Sequence, residues 1–270
     1  LCPENLRSFQ NWWPFFVAMG VKNRMENKFR KFWDEWRGFF VFVIVMLMFR
    51  STIADWNQVP SGSMKPGILE GDRIVVEKLA YDLRVPWTFF RILSWSDPAR
   101  GDVVTFENPK DQRLFVKRVV GVPGDTLEVR GNALYVNGER AGYMPLNKSE
   151  LADLDLPEKG FFNLFRESLL DSERLIMMRK DGRGPRGFCR PSVGCGCLVE
   201  DWHNFGPLTV PDDRYWVMGD NRDNSNDSRD PELCFLERRL ILGRAYAIAF
   251  SIDFETTIWR PRTERFFSDL

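Results

Sequence analysis

The chain has 270 residues, 44% of them hydrophobic and 14% aromatic, which excludes general disorder and is enough to bury a core in one or two domains. Its 38 basic and 38 acidic residues cancel, so no global field draws it to nucleic acid or to an acidic substrate, and charge must be read locally. A single histidine, His203, leaves a Ser-His-Asp triad one possible base and excludes a three-histidine zinc site. The sequence starts at Leu1 rather than Met, so the expectation is a chain that begins inside a longer reading frame or after processing.

In chain order, the aromatic stretch "WWPFFVAMGV" at residues 12–21 is too short and too proline-broken to span a bilayer alone; it reads as an interfacial helix or the end of an earlier span. The uncharged run "GFFVFVIVMLMF", residues 38–49, covers only ~18 Å as a helix against a hydrocarbon core of ~30 Å. Extension through "RSTIA" to Ala54 gives about 25 Å, with Arg50 snorkelling to an interface. Lys22, Arg24, Lys28, Arg30, Lys31 and Arg37 precede the run, whereas only Arg50 and Lys65 follow closely. The positive-inside bias then puts residues 1–37 on the cytoplasmic side and everything after Ala54 outside. A buried core helix and a cleaved signal ending at "TIA" are the alternatives; the long basic and aromatic flank before the run favours an uncleaved anchor over residues 38–54.

After Pro60, short β-branched runs alternate with Gly/Pro/Asp turns ("RIVVEK", "DVVTFE", "LFVKRVVGV", "TLEVR", "ALYV", "YWVMGD", "AYAIAFSI"), the rhythm of a mainly β domain. Asn137-Gly138 has the chemistry of a two-residue hairpin turn. Residues 146–210 lose the pattern and read as an inserted subdomain, so the β domain is expected from residues 55–145 and 211–270. The aromatic stretch at residues 85–98, with Trp87, Phe89, Phe90 and Trp95, suits either a core-facing loop or a surface resting on the membrane. Of the five cysteines, Cys2, Cys189, Cys195, Cys197 and Cys234, three crowd into "CRPSVGCGC". A disulfide with a spare thiol, free thiols and a metal site are all open, and the pairing cannot be deduced.

Three stretches could carry chemistry. In "PSGSMKPGILEGD", residues 60–72, Gly62 between two serines permits a tight backbone path, and Pro60 and Pro66 stiffen its ends; a plain linker is the alternative. In "RLFVKRVVGVPGD", strand alternation puts Phe115, Lys117 and Val119 on one face. Desolvation there lowers the lysine pKa from ~10.4 towards the range of a general base, unless the stem covers apolar surface and the head reaches water. "GDNRDNSNDSR", residues 219–229, lacks the sixth-position glycine and closing glutamate of an EF-hand and reads as an irregular loop held by Asx and Ser side chains.

Taken in order behind an apolar segment, "PSGSM", "GDRIVVEKLAY", "VKRVVGVPGD" and "GDNRDNSNDSR" resemble the bacterial signal peptidase I family of membrane-bound serine peptidases. The resemblance covers residues 38–130 and 211–254 and implies a mainly β fold, an antiparallel sheet or barrel-like catalytic domain with an inserted subdomain behind an N-terminal transmembrane helix. It implies that Ser63 is the nucleophile and Lys117 the general base, with the Ser63 N–H and the Ser61 hydroxyl as oxyanion donors and Ser225 orienting the lysine amine. Asp220, Arg118, Asp227 and Arg229 match positions that hold the site through charge pairs, and Val59, Met64, Ile68 and Val116 match the apolar pockets that accept Ala-x-Ala. The implied partners are preprotein signal peptides and the lipid bilayer, with no nucleic acid, no metal and no cofactor, at the bacterial inner membrane with the catalytic domain on the periplasmic side. Cys234 stands near a position where the family carries glycine. A self-cleaving Ser-Lys peptidase of the LexA type and an inactive membrane-anchored binding module are the rival readings. The first is disfavoured by the aromatic N-terminus, and the second by the intact Ser63, Lys117 and Ser225.

Overall fold

The computed structural model describes residues 21–52, 54–85, 88, 90–154, 156–169, 172–183, 202–230, 233–253 and 260–270, with the side chains of residues 21–29 and 48–54 excepted. The stretch at residues 12–20, Trp87, Phe89 and four cysteines (Cys2, Cys189, Cys195 and Cys197) lie outside the described residues. The chain divides into two units, Leu1–Arg50 and Ser51–Leu270.

The first unit contributes a long helix, α1 (Val21–Thr52). At 1.5 Å per residue it is about 48 Å long, and it carries exposed apolar side chains on every side, among them Trp33, Phe39, Phe42, Ile44 and Leu47. Phe32 stacks on Trp36 and Trp33 on Phe40, each with ring centroids 5.9 Å apart. Among the described residues no helix is long and apolar enough to cross a membrane. The uncharged run is short and continuous with a charged helical stretch before it, so it does not stand out as a separate segment. α1 stops at Thr52, and Ala54 opens a strand.

The second unit is mainly β and antiparallel, as expected. Its strands are β1 (Ala54–Gln58), β2 (Asp72–Glu77), β3 (Asp82–Arg84), β4 (Arg91–Ser94), β5 (Val103–Glu107), β6 (Leu114–Gly121), β7 (Thr126–Arg130), β8 (Ala133–Val136), β9 (Glu139–Arg140) and β10 (Gly142–Pro145). A short helix α2 (Lys148–Asp153) follows, then β11 (Phe162–Leu169), β12 (Ser172–Arg179), β13 (Phe205–Thr209), β14 (Arg214–Met218), β15 (Leu236–Glu237), β16 (Ile241–Asp253), β17 (Arg260–Pro261) and β18 (Ser268–Asp269). The main sheet runs β1-β2-β16-β5-β6-β14-β15, with β17 and β18 added along β16. Among the described residues this path stays open, so the barrel-like expectation reduces to a curved antiparallel arrangement with register shifts along β16 and between β14 and β6.

Strand β2 shows why these residues form this sheet: Asp72, Ile74 and Val76 are buried and alternate with half-exposed neighbours, so one face packs inward. Each buried Ile or Val of this kind contributes roughly 1.5–3 kcal/mol. A second layer, β13-β7-β8-β9, closes over Leu127, Leu134 and Val136, which pack with Trp216 and Met218 of the main sheet. The Asn137-Gly138 turn joins β8 to β9 with φ of 54° and 84°, the positive values a tight hairpin requires.

The patternless stretch after residue 145 contains ordered structure. An N-terminal capping box, Asn147 with Glu150, starts α2, and β11 pairs with β10 on one side and β12 on the other. Strand β13 pairs instead with β7, so the end of the expected insertion joins the second layer.

Candidate active site

Ser63 lies in a one-turn 3-10 segment, Gly62–Met64, within the connection from β1 to β2. The turn is held from both ends. Met64 and Ile68 are buried with Val59, Ile74, Val103 and Val116, and the Ile68 N–H donates to the Met64 carbonyl at 3.0 Å. Asp72, fully buried, accepts from the Leu69 N–H at 2.7 Å and from the Arg265 guanidinium at 2.7 Å. The turn is therefore anchored rather than a flexible linker.

Lys117 lies near the middle of β6, between β5 and β14 in the sheet. Its side chain shares a face with Phe115, whose ring centroid is 5.2 Å from Nζ, as the alternation of the strand requires. Lys117 is 4% exposed, and its Nζ reaches the Ser63 Oγ at 2.6 Å. Burial lowers its pKa to about 8, against partial compensation from the carboxylates of Asp227 and Asp220. An amine with that pKa is partly neutral near neutral pH and stands within proton-transfer distance of a hydroxyl.

Behind the pair, Arg118 points to the other side of β6 and grips Asp220 with two hydrogen bonds of 3.0 and 2.7 Å. Asp227 receives two from the Arg229 guanidinium, at 2.9 and 2.8 Å, one from the Arg229 N–H at 3.2 Å and one from the Gly219 N–H at 3.0 Å. Burial alone would raise the Asp227 pKa; the Arg229 guanidinium outweighs it and keeps the carboxyl ionised. Arg229 in turn lies 4.0 Å over the Trp202 ring.

Ser225 departs from expectation. Its Oγ is buried without a hydrogen bond of normal geometry, although it stands close enough to Asp227 to help lower that carboxyl's pKa. Lys117 Nζ hydrogen-bonds Ser63 Oγ and, at 3.1 Å, the Val116 carbonyl, and the expected bond to Ser225 is not formed. Ser225 instead packs on Gly219: a Cβ at residue 219 would lie 2.2 Å from Ser225 Oγ and 2.5 Å from the Ser63 carbonyl oxygen.

A cleft of about 750 Å³ opens over Ser63 and Lys117, walled by Val59, Ser61, Met64 and Val116. Three of the four expected pocket residues therefore face it; Ile68 packs behind them in the buried cluster. Ser61 is exposed at the cleft beside Ser63. Phe115, expected beside Lys117, also lines it, as do Glu70, Arg113, Asn224 and Asn226, which were not foreseen.

Asn221 was missed as well, although it lies inside the quoted "GDNRDNSNDSR". Its side-chain amide donates to the Gly62 carbonyl at 3.0 Å and its N–H to the Ser63 carbonyl at 3.1 Å. The loop thus binds the backbone of the serine turn directly. Cys234, near the family's usual glycine position, adopts a φ of 47° and is disulfide-bonded.

Residues 33–250 match the family model described as signal peptidase, peptidase S26. The chain belongs to this family. It is 37% identical over 225 residues to the signal peptidase I of Pseudomonas aeruginosa, covering 80% of this chain and 71% of that one. With the signal peptidase I of Pseudomonas fluorescens it shares 34% over 225 residues, at the same coverage of 80% and 71%. A crystal structure of a signal peptidase I from Enterococcus faecalis V583 overlaps 56% of this chain and 98% of its own, at 24% identity and a TM-score of 0.30.

Proposed function

We propose that this chain is a serine endopeptidase that removes signal peptides from exported preproteins, cutting after Ala-x-Ala-like sites with Ser63 as nucleophile and Lys117 as general base. The observation that carries the reading is the buried 2.6 Å contact between Lys117 Nζ and Ser63 Oγ. The neutral amine takes the Ser63 proton as Oγ attacks the carbonyl after the small residue. The Ser63 N–H and the Ser61 hydroxyl, both at the cleft, meet the oxyanion of the tetrahedral intermediate. Lys117 returns the proton to the leaving amine, then activates the water that releases the acyl enzyme. Arg118–Asp220 and Arg229–Asp227 hold the surrounding loop in charge pairs. Val59, Met64 and Val116 give the cleft apolar walls of the kind a small side chain fills.

In this reading α1 anchors the catalytic unit at a bacterial inner membrane, with the basic flank of residues 22–37 cytoplasmic and the β domain periplasmic. The support is the density of exposed apolar side chains along Phe32–Leu47 and the charge asymmetry about them. Residues 146–210 remain the segment we assign as the insertion. The test is cleavage of a preprotein carrying an Ala-x-Ala site by the full chain in detergent. Ser63→Ala and Lys117→Ala are each expected to lower turnover by about 10³-fold or more; parental turnover in either would exclude the dyad.

A further inference from the structure

Lys65, two residues after Ser63, has no part in the reaction drawn above. Its side chain folds back against Gly62, with Cδ and Cε each 3.0 Å from where a Cβ on that glycine would lie. Nζ ends between two carboxylates, Glu70 at 2.7 Å and Glu158 at 2.5 Å. The Lys65 side chain is 10% exposed and those of Glu70 and Glu158 38% and 29%, so the lysine is enclosed while its partners reach the surface. Glu158 belongs to a 3-10 turn, Pro157–Phe161, that leads into β11.

An exposed pair would contribute little. An enclosed ammonium differs, because removing a partner leaves charge where water cannot fully replace it. Burial would lower the Lys65 pKa, but the hydrogen bonds it donates to Glu158 and Glu70 and their negative charges outweigh it and raise the value, so the amine stays charged. A second contact joins the same two parts: Leu69 is buried against Leu156, Leu164 and Met177. A third runs through the loop beyond, where the Met177 N–H donates to the Asp220 carbonyl and the Arg222 N–H to the Met177 carbonyl, while Asn221 holds the Gly62 and Ser63 carbonyls.

We propose that Lys65 and Glu158 form an ionic latch through which the layer built from α2, β11 and β12 holds the turn bearing Ser63, and that both are positioning residues for peptide-bond cleavage. The proposal rests on the Ser63–Lys117 reading. Neither residue touches the reacting atoms. The latch fixes the backbone of residues 62–65, and with it the direction of the Ser63 hydroxyl and N–H.

The test uses the full chain in detergent, with Lys65→Met, Glu158→Gln, their double variant and Ser63→Ala in parallel. Steady-state cleavage of an Ala-x-Ala preprotein is measured well below each variant's Tm, and amide exchange is followed on a peptide covering residues 62–72. Each latch variant is expected to lower kcat by about tenfold with KM within about twofold, since a small misplacement at the reacting centre is costly. Exchange in the 62–72 peptide should rise, and the double variant should be no worse than the more severe single one. Parental kcat in both single variants, unchanged exchange, or losses that multiply in the double variant would each overturn the latch. Parental cleavage by Ser63→Ala would instead overturn the catalytic reading, with the exchange measurement still deciding whether the latch holds the turn.

Discussion

Among single residues at the site, Lys117 has markedly altered chemistry. Its native pKa, about 8, lies below its ordinary value of 10.5 because burial penalises the ammonium. The unfolded chain therefore binds more protons between those two values, and stability contributed by this side chain rises with pH through that window. At neutral pH the buried amine is a liability that catalysis requires. Lys117→Met, of similar length and without the charge, is expected to abolish cleavage while raising unfolding stability by about 1–3 kcal/mol at pH 7. Denaturant unfolding of parent and variant would check it, and a less stable variant would contradict the burial argument. The face on which this lysine lies was legible, since Phe115, Lys117 and Val119 alternate along one strand. The side-chain arrangement of Ser225 was not legible. Which neighbour a short hydroxyl meets depends on loop geometry, and here it meets Gly219 rather than the amine.

At the scale of elements, the loop of residues 219–229 and the turn of residues 62–64 behave as one assembly. Gly219 sits where they meet: any side chain there collides with Ser225 and with the Ser63 carbonyl. Gly219→Ala is accordingly expected to lower kcat by on the order of 10²-fold, through displacement of the serine turn, and to destabilise by about 1–3 kcal/mol. Parallel kinetics and thermal unfolding would test this, and kcat within twofold of the parent would refute the close packing. Strands β2, β5, β6, β7 and β8 were legible because they are short apolar, β-branched runs set between Asn-Gly or Gly-Asp turns, whereas β1, β3 and β4 fall in stretches without that pattern. The insertion was not, for a physical reason. Glu167 on β11 faces Arg174 on β12 across the sheet, both buried, so charged residues occupy positions that a pattern reading assigns to solvent. Lys65 and Glu158, 93 positions apart, carry no sequence signal of their contact.

At the scale of the whole molecule, the β unit beginning at Ser51 has its own cores, whereas α1 exposes apolar side chains along much of its length. Water is a poor solvent for such a surface. The full chain is expected to float with liposomes in a density gradient, and residues 51–270 alone to do so far less, while retaining cooperative unfolding. Equal flotation of the two would remove α1 as the anchor. The helix was foreseen from its apolar run, but its start at Val21 was not, because charged residues before the run continue the same helix without a break signal.

The most direct measurement is kcat/KM for preprotein cleavage by the full chain as a function of pH. Lys117 buried against Ser63 predicts activity that falls as pH drops through an apparent pKa of about 8 and levels off above it. A rising limb at the ordinary lysine value, ~10.4, would mean that the base is solvated, and would contradict the account.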